Sequence, residues 1–386
     1  MIGLLAGCRS ELNPAYCAAH PTDDRCANAV FDGPAASDGT TDGNEQPAVC
    51  VGEGKFKVCL RELPAPNMIS TQIGTASATC LDQQPIGWIE QGQPESCFIV
   101  GSTLQLTGTL AIKGARPLVL VATDTITLTG VLDLSARKGR MFNPPGFSVG
   151  GCDPFAATAT DKNTGGSGGA GGSLGAFGGN GGAGDNGGVA PGKAAGPANE
   201  ITVLHAGCVG EAGGAGDGQG SNVPSAGGFG GGAIALIAGN KIVFSGTAQI
   251  NASGAAGTAG GHRTGGGGGG SGGMIALWAP MYDVGTGTLV FANGGGGASG
   301  GTNSNDGTDG IDPPSNPANP LIPANGGTLA GAGAGGNGYA LNIDPQAGGT
   351  GNSGDGGGGG GGGAGIIFAN QALGSNATVS PAPTLF

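Results

Sequence analysis

The chain has 386 residues, with Gly 91, Pro 24, only 10% charged residues and 4% aromatics. That composition excludes a conventional globule, because glycine loses the most backbone entropy on ordering and brings no side chain to a core. The formal net charge of -12, from 14 Lys+Arg against 26 Asp+Glu, leaves no basic stripe for phosphates, so nucleic acid and polybasic membrane contacts are excluded, and no apolar run approaches the roughly 18 residues that span a bilayer.

In chain order, Leu5-Ala6-Gly7-Cys8 comes first. It matches a bacterial lipobox, in which small residues at the cleavage point leave a thiol at the new N-terminus. The expectation is that 1–7 is the remnant of a lipoprotein signal peptide and that Cys8 carries the lipid, anchoring an exported protein to the outer membrane or cell surface. Of the Cys 9 in the chain, that leaves an even set: Cys17, Cys26, Cys50, Cys59, Cys80, Cys97, Cys152 and Cys208. Taken in order they pair 17–26, 50–59, 80–97 and 152–208, one of many connectivities that eight cysteines allow. Cys17, His20 and Cys26 could instead supply soft metal ligands, but no CxxC accompanies them and an oxidising compartment favours disulfides. Residues 8–46 are polar and aperiodic and predict a disulfide-pinned tether. Residues 47–99, with four cysteines and Trp88, predict a stapled cap over the first edge of the main body.

An internal repeat dominates 100–386. Leu104, Leu106, Gly108, Leu110 and Ile112 fall opposite Ile126, Leu128, Gly130, Leu132 and Leu134, 22 residues on. The frame recurs 116 residues further along in Ile242, Phe244, Gly246, Ala248 and Ile250. The preceding strand, Leu118-Leu120-Ala122, recurs as Ile234-Leu236-Ala238 and Ile275-Leu277-Ala279, and more weakly as Ile366 and Phe368. Strict alternation with a glycine corner and so short a period predict an all-β fold: a short right-handed parallel β-solenoid with stacked apolar ladders. The glycine tracts, about 140–231, 254–273 and 294–363, read as insertions of extended threefold strands of the polyglycine II type, ordered only if neighbouring strands exchange hydrogen bonds with them. Thr103, Thr107, Thr125, Thr127 and Thr129 point outward as good strand residues.

The segments LAGC, NPAYCAAHPTDDRC, ARPLVLVATDTITLTGVLDLSA, GGGAIALIAGNKIVFSG and GGGGGGSGGMIALWAP together resemble glycine-rich lipoproteins of large-genome, myxobacteria-like Gram-negative bacteria. The resemblance covers nearly the whole chain. It implies export, a surface location and a repetitive glycine-rich body, and it carries over no catalytic residue.

Chemistry-bearing motifs are sparse. GxSxG at Gly165–Gly169 and Gly269–Gly273 arises from glycine content, with no strand-turn-helix context, and His20, His205 and His262 lack a recognisable nucleophile partner. A β-helix polysaccharide lyase or hydrolase would need clustered carboxylates, whereas Asp124, Asp133, Lys113 and Lys241 are scattered. Asn303, Asn305, Asp306, Asp309 and Asp312 in GTNSNDGTDGID form an oxygen-rich loop suited to Ca2+, although the closing glutamate of an EF-hand is missing. Trp88 and Trp278 could stack on sugars or fill a core. The function expected is therefore a lipid-anchored surface protein with a structural or adhesive role and no catalysis; the alternative is an extracellular β-helix protein that binds or cleaves polysaccharide.

Overall fold

Alternating apolar residues build most of the longer strands. The computed structural model describes residues 49–385 apart from 71, 77–78, 139–143, 148–150, 198–202, 217–223 and 314–321. Cys8, Cys17, His20 and Cys26 lie outside the described residues, as do the expected signal remnant and tether. The strands in chain order are β1 (Val49–Val51), β2 (Val58–Leu60), β3 (Asn67–Ile69), β4 (Ile73–Gly74), β5 (Cys97–Leu106), β6 (Thr109–Lys113), β7 (Leu118–Leu128) and β8 (Val131–Asp133). After a long glycine-rich stretch come β9 (Ala233–Ala238), β10 (Lys241–Phe244) and β11 (Gln249–Asn251). A second stretch precedes β12 (Met274–Trp278), β13 (Met281–Val284) and β14 (Thr288–Phe291), and a third precedes β15 (Ile366–Ala369), β16 (Ala377–Ser380) and β17 (Thr384–Leu385). Among the described residues there is no α-helix; the only helical turns are the short 3-10 segments Gly54–Phe56 and Asp185–Gly187.

The fold is all-β, with two parallel sheets stacked on a shared core. One sheet runs β5-β7-β9-β12-β15-β17, with β10 and β13 continuing from the second half of β7 and β3 pairing β5; the other runs β4-β6-β8-β11-β14-β16. Their inward residues stack in rows: Leu104, Ile126, Ile242 and Tyr282; Leu118 and Ile234, then Ile275 and Ile367; Leu110, Leu132, Ile250, Val290 and Val379. Most of these side chains are fully buried in one cluster. Each large one contributes about 1.5–3 kcal/mol through burial. Gly108 makes the corner with a φ of 69°, while Gly130 one rung on is needed for a different reason: a Cβ there would lie 1.9 Å from the Gly108 carbonyl oxygen.

Two repeat assignments shift. Leu132 pairs with Ile250 and not Ala248, because the corner after β10 is two residues longer than the one after β7. A slip of two keeps the inward parity, so Ala248 and Ile250 are both still buried. In β15 the slip is one residue: Ile275 pairs with Ile367 and Leu277 with Ala369, and Ile366 and Phe368 face outward into a second apolar cluster. The expected cap also divides its work. Residues 67–74 add β3 and β4 to the first edges, but the hairpin β1–β2, with Phe56 and Trp88, packs on the outer side of the sheet against Phe98, Val119, Val121 and Ile237. Trp88 is buried edge-on to Phe98 and donates its indole N–H to the Pro94 carbonyl.

Each glycine-rich stretch leaves after β8, β11 or β14 and returns to β9, β12 or β15. Pairing continues into them unbroken: Ala252 N donates to Phe291 O, Gly254 N to Asn293 O and Gly257 N to Gly296 O. Further out, the hydrogen bonds recur every third residue. Gly166, Gly169 and Gly172 donate to Arg263, Gly266 and Gly269; Gly266, Gly269 and Gly272 donate to Gly357, Gly360 and Gly363; these donate back to Gly166, Gly169 and Gly172. Three distant segments thus close a ring of backbone bonds.

The segment 356–363 is enclosed on every side. It donates to 166–172, to 295–301 and to 346–349, and it accepts from 266–272, from 333–339 and from 179–182. A Cβ on Gly358, Gly359 or Gly360 would lie 1.9 Å from Ala334 O, 2.1 Å from Gly267 O and 2.0 Å from Gly179 O respectively. Successive residues face three different neighbours, so no position has room for a side chain, and Gly356 to Gly363 is uninterrupted glycine. The segment 165–173 is less enclosed. Its first two residues in each triplet meet backbone, and the third is Ser167, Ala170 or Ser173.

Candidate functional site

Where the glycine-rich body runs out of neighbouring strands, side-chain oxygens take the place of the missing carbonyls. Glu211 accepts the amides of Ala159 at 2.7 Å and Ala170 at 3.0 Å on its two carboxylate oxygens. Burial pushes its carboxyl above the usual range, against the pull of those two amides. The Thr164 hydroxyl and the Gly354 N–H hold the Asp185 carboxyl below the usual range. Ser271, inside a second glycine run, accepts from Cys208 N at 2.8 Å, and Ser167 accepts from Thr160 N at 2.7 Å. Both serines of the GxSxG matches are fully buried and bound to backbone.

Glu211 yields a direct expectation. A carboxyl whose proton affinity is raised by folding contributes stability that is present below the unfolded value of 4.5 and lost as pH rises through the folded value. Glu211→Gln offers one acceptor to two amides, so it should lower stability at neutral pH by about 1–3 kcal/mol. Its stability should also change less than the wild type's between acid and neutral pH. Urea unfolding across that range checks both.

Among the described residues three disulfides are present: Cys50–Cys59, Cys80–Cys97 and Cys152–Cys208. Such bonds form and persist in oxidising compartments. The last closes the base of the first glycine-rich stretch.

The five oxygen-bearing residues read as a calcium loop each make contacts of their own. Asp309 accepts from Ala259 N at 2.7 Å and from Lys138 Nζ at 2.7 Å. Asp312 accepts from Ala256 N at 2.8 Å and Lys138 N at 3.1 Å. Asp306 faces His262 at 3.6 Å, Asn303 N donates to Asp355, and Asn305 donates to Ser304. Among the described residues no three His, Cys, Asp or Glu side chains gather as a metal would require. His205 is buried with Nδ1 against the Ala206 carbonyl. Asp124 accepts from the Asn240 side chain at 2.8 Å, while Asp133 pairs with Arg137 at 3.0 Å.

Asp309 and Asp312 instead flank a cleft that the sequence reading missed. It has a volume of about 100 Å³ and is lined by Arg137, Lys138, Phe229, Ala255, Ala256 and Thr258, among others. Phe229 meets Phe147 in a T-shaped contact with centroids 5.4 Å apart, and the two rings are 40% and 37% exposed. The residues come from three distant stretches, and although Phe229 holds the third position of a Gly-Gly-x triplet, no local signal pairs it with Phe147. A larger hollow of about 360 Å³ lies on the β1–β2 side, lined by Leu60, Leu63, Leu81 and Ile86 with Arg61 and Asp82. No protein-family model, curated protein or solved structure matches the chain.

Proposed function

We propose that the chain is an exported, lipid-anchored cell-surface protein with a structural or adhesive role and no catalytic activity. The reading takes the stacked parallel sheets as a short right-handed β-solenoid and the glycine-rich body as polyglycine II-type strands projecting from it. The observation that carries it is the enclosure of 356–363 by neighbours on all sides. A lattice built from main chain alone, with no room for side chains, is suited to rigidity and to resisting proteases, because every amide is already committed. Oxidised cysteines support export. The LAGC tetrapeptide and Cys8 support the anchor.

Mass spectrometry of the mature N-terminus tests the anchor: a diacylglyceryl group on Cys8 is expected, and an unmodified Cys8 in the exported protein would falsify it. Incubation with plant and bacterial polysaccharides tests the absence of catalysis; new reducing ends or unsaturated products would sink that part. The polysaccharide-binding alternative is favoured by one observation, the exposed Phe147–Phe229 pair beside charged side chains.

A further inference from the structure

We infer that the cleft lined by Arg137, Lys138, Phe229 and Thr258 binds a single neutral hexopyranose unit of a glycan. The inference rests on the surface reading above and names the contact through which adhesion would occur. The ring of a hexopyranose with equatorial hydroxyls has an apolar C–H face and a polar rim, and a site for it needs an exposed aromatic ring with donors and acceptors around its edge. The chain has few aromatics, and it leaves two of its Phe 12 in mutual contact and open to solvent, Phe229 lining this cleft and Phe147 packed against Phe229. The T-shaped contact holds each ring against the other, so the platform is set before a ligand arrives.

The rim is built from pairs. Arg137 donates to Asp133 at 3.0 Å and Ser135 at 3.2 Å, and Lys138 donates to Asp309 at 2.7 Å. The two cationic side chains remain 29% and 35% exposed. A sugar hydroxyl both donates and accepts, and a cation held beside a carboxylate offers one partner of each kind. Charge selects the class of sugar. Arg137 and Lys138 face Asp133, Asp309 and Asp312, which leaves the local balance slightly negative on a chain of net charge -12, so a uronate or sulfated sugar gains nothing here. The cleft is small, which favours one ring over a longer stretch of glycan. One ring with these contacts binds at about millimolar Kd, and many copies on one surface raise the effective affinity.

Saturation-transfer difference NMR on the intact protein tests the site, using methyl β-D-glucopyranoside, methyl β-D-galactopyranoside, methyl α-D-mannopyranoside and galacturonate as probes. The expected result is transfer to the ring C–H protons of at least one neutral glycoside, with Kd weakened about tenfold or more in Phe229→Ala. Amide exchange over 356–363 should be unchanged in that variant; if it is not, Phe147→Ala is used instead. The site is overturned if no neutral glycoside receives saturation, if galacturonate binds better than all three, or if neither substitution weakens binding. An exported protein whose Cys8 is unacylated but which still binds a neutral glycoside would overturn the anchor and leave the site standing.

Discussion

Gly360→Ala should lower the stability of the protein by about 4 kcal/mol or more, a loss at the extreme of what one methyl group can do. The added Cβ would sit 2.0 Å from Gly179 O and 2.7 Å from Asn180 O. Neither atom is the end of a flexible side chain. Relief would have to come from moving a backbone segment, and the segment 179–183 is itself bonded to 358–361, 168–171 and 348–351: Gly179 and Gly182 donate to Gly361 and Gly358, and Gly171, Gly348, Gly168 and Gly351 donate to Gly179, Asn180, Gly182 and Ala183. One displaced strand therefore strains several hydrogen bonds at once, each leaving a buried donor or acceptor that costs about 1–3 kcal/mol when unmet. Gly269→Ala is expected to behave alike, since its Cβ would meet Gly295 O at 2.0 Å. Gly196→Ala is the control: nothing lies within 4 Å of a Cβ there. That substitution should be neutral or stabilise by up to about 1 kcal/mol, by restricting the unfolded chain. Urea or thermal unfolding of the three variants checks the contrast, and a small loss in Gly360→Ala would mean the lattice yields under strain.

The rows of the sheets were legible because their signal is local. Leu104, Ile126 and Ile242 each sit in an alternating run beside a glycine corner, and the same frame predicts their stacking. The failures mark where alternation stops carrying information. Ile366 and Phe368 extend the repeat frame, yet they lie on the outward side of β15, half-buried against the cluster that holds Met274 and Ala276. With both faces apolar, period two no longer tells inside from outside. The extra two residues at the corner after β10 were invisible for a related reason, since a slip of two leaves every inward residue inward.

The glycine-rich body was legible as extended strands and not as a lattice. Which segment neighbours which depends on contacts between residues about a hundred or more positions apart, such as Gly166 with Arg263 and Gly357, and no periodicity in one strand names its partner. Purity of glycine does record enclosure: 165–173 keeps a side chain at every third residue, and 356–363 keeps none. The same threefold period gives the spacing of Asp309 and Asp312 a second meaning. Asp309 and Asp312 are spaced like metal ligands, but they are also spaced like the amides of Ala259 and Ala256, which they satisfy. The cleft at Phe229 could not be foreseen at all, because it exists only once three separate stretches are brought side by side.

Loss of the Cys152–Cys208 bond should be the most damaging of the disulfide changes. The bond closes a loop with a sequence separation of 56, against 17 for Cys80–Cys97 and 9 for Cys50–Cys59. Loop-closure entropy then predicts about 4 kcal/mol for the long loop and about 2.5–3 for the shortest. The difference is widened by what each loop contains. The short one holds a hairpin packed on a sheet that is complete without it, whereas residues 165–172 and 179–182 inside the long one supply two of the neighbours of 356–363. Cys208 also binds within the lattice, giving its carbonyl to Ser271 N and its amide to Ser271 Oγ. Replacing both cysteines with serine should therefore lower the unfolding midpoint most for the 152/208 pair, and amide exchange over 356–363 should accelerate in that variant alone. If the 50/59 pair proved as costly, or if exchange over 356–363 stayed as slow as in the parent, the first glycine-rich stretch would not depend on its covalent base, and the closed ring of backbone bonds would hold it unaided.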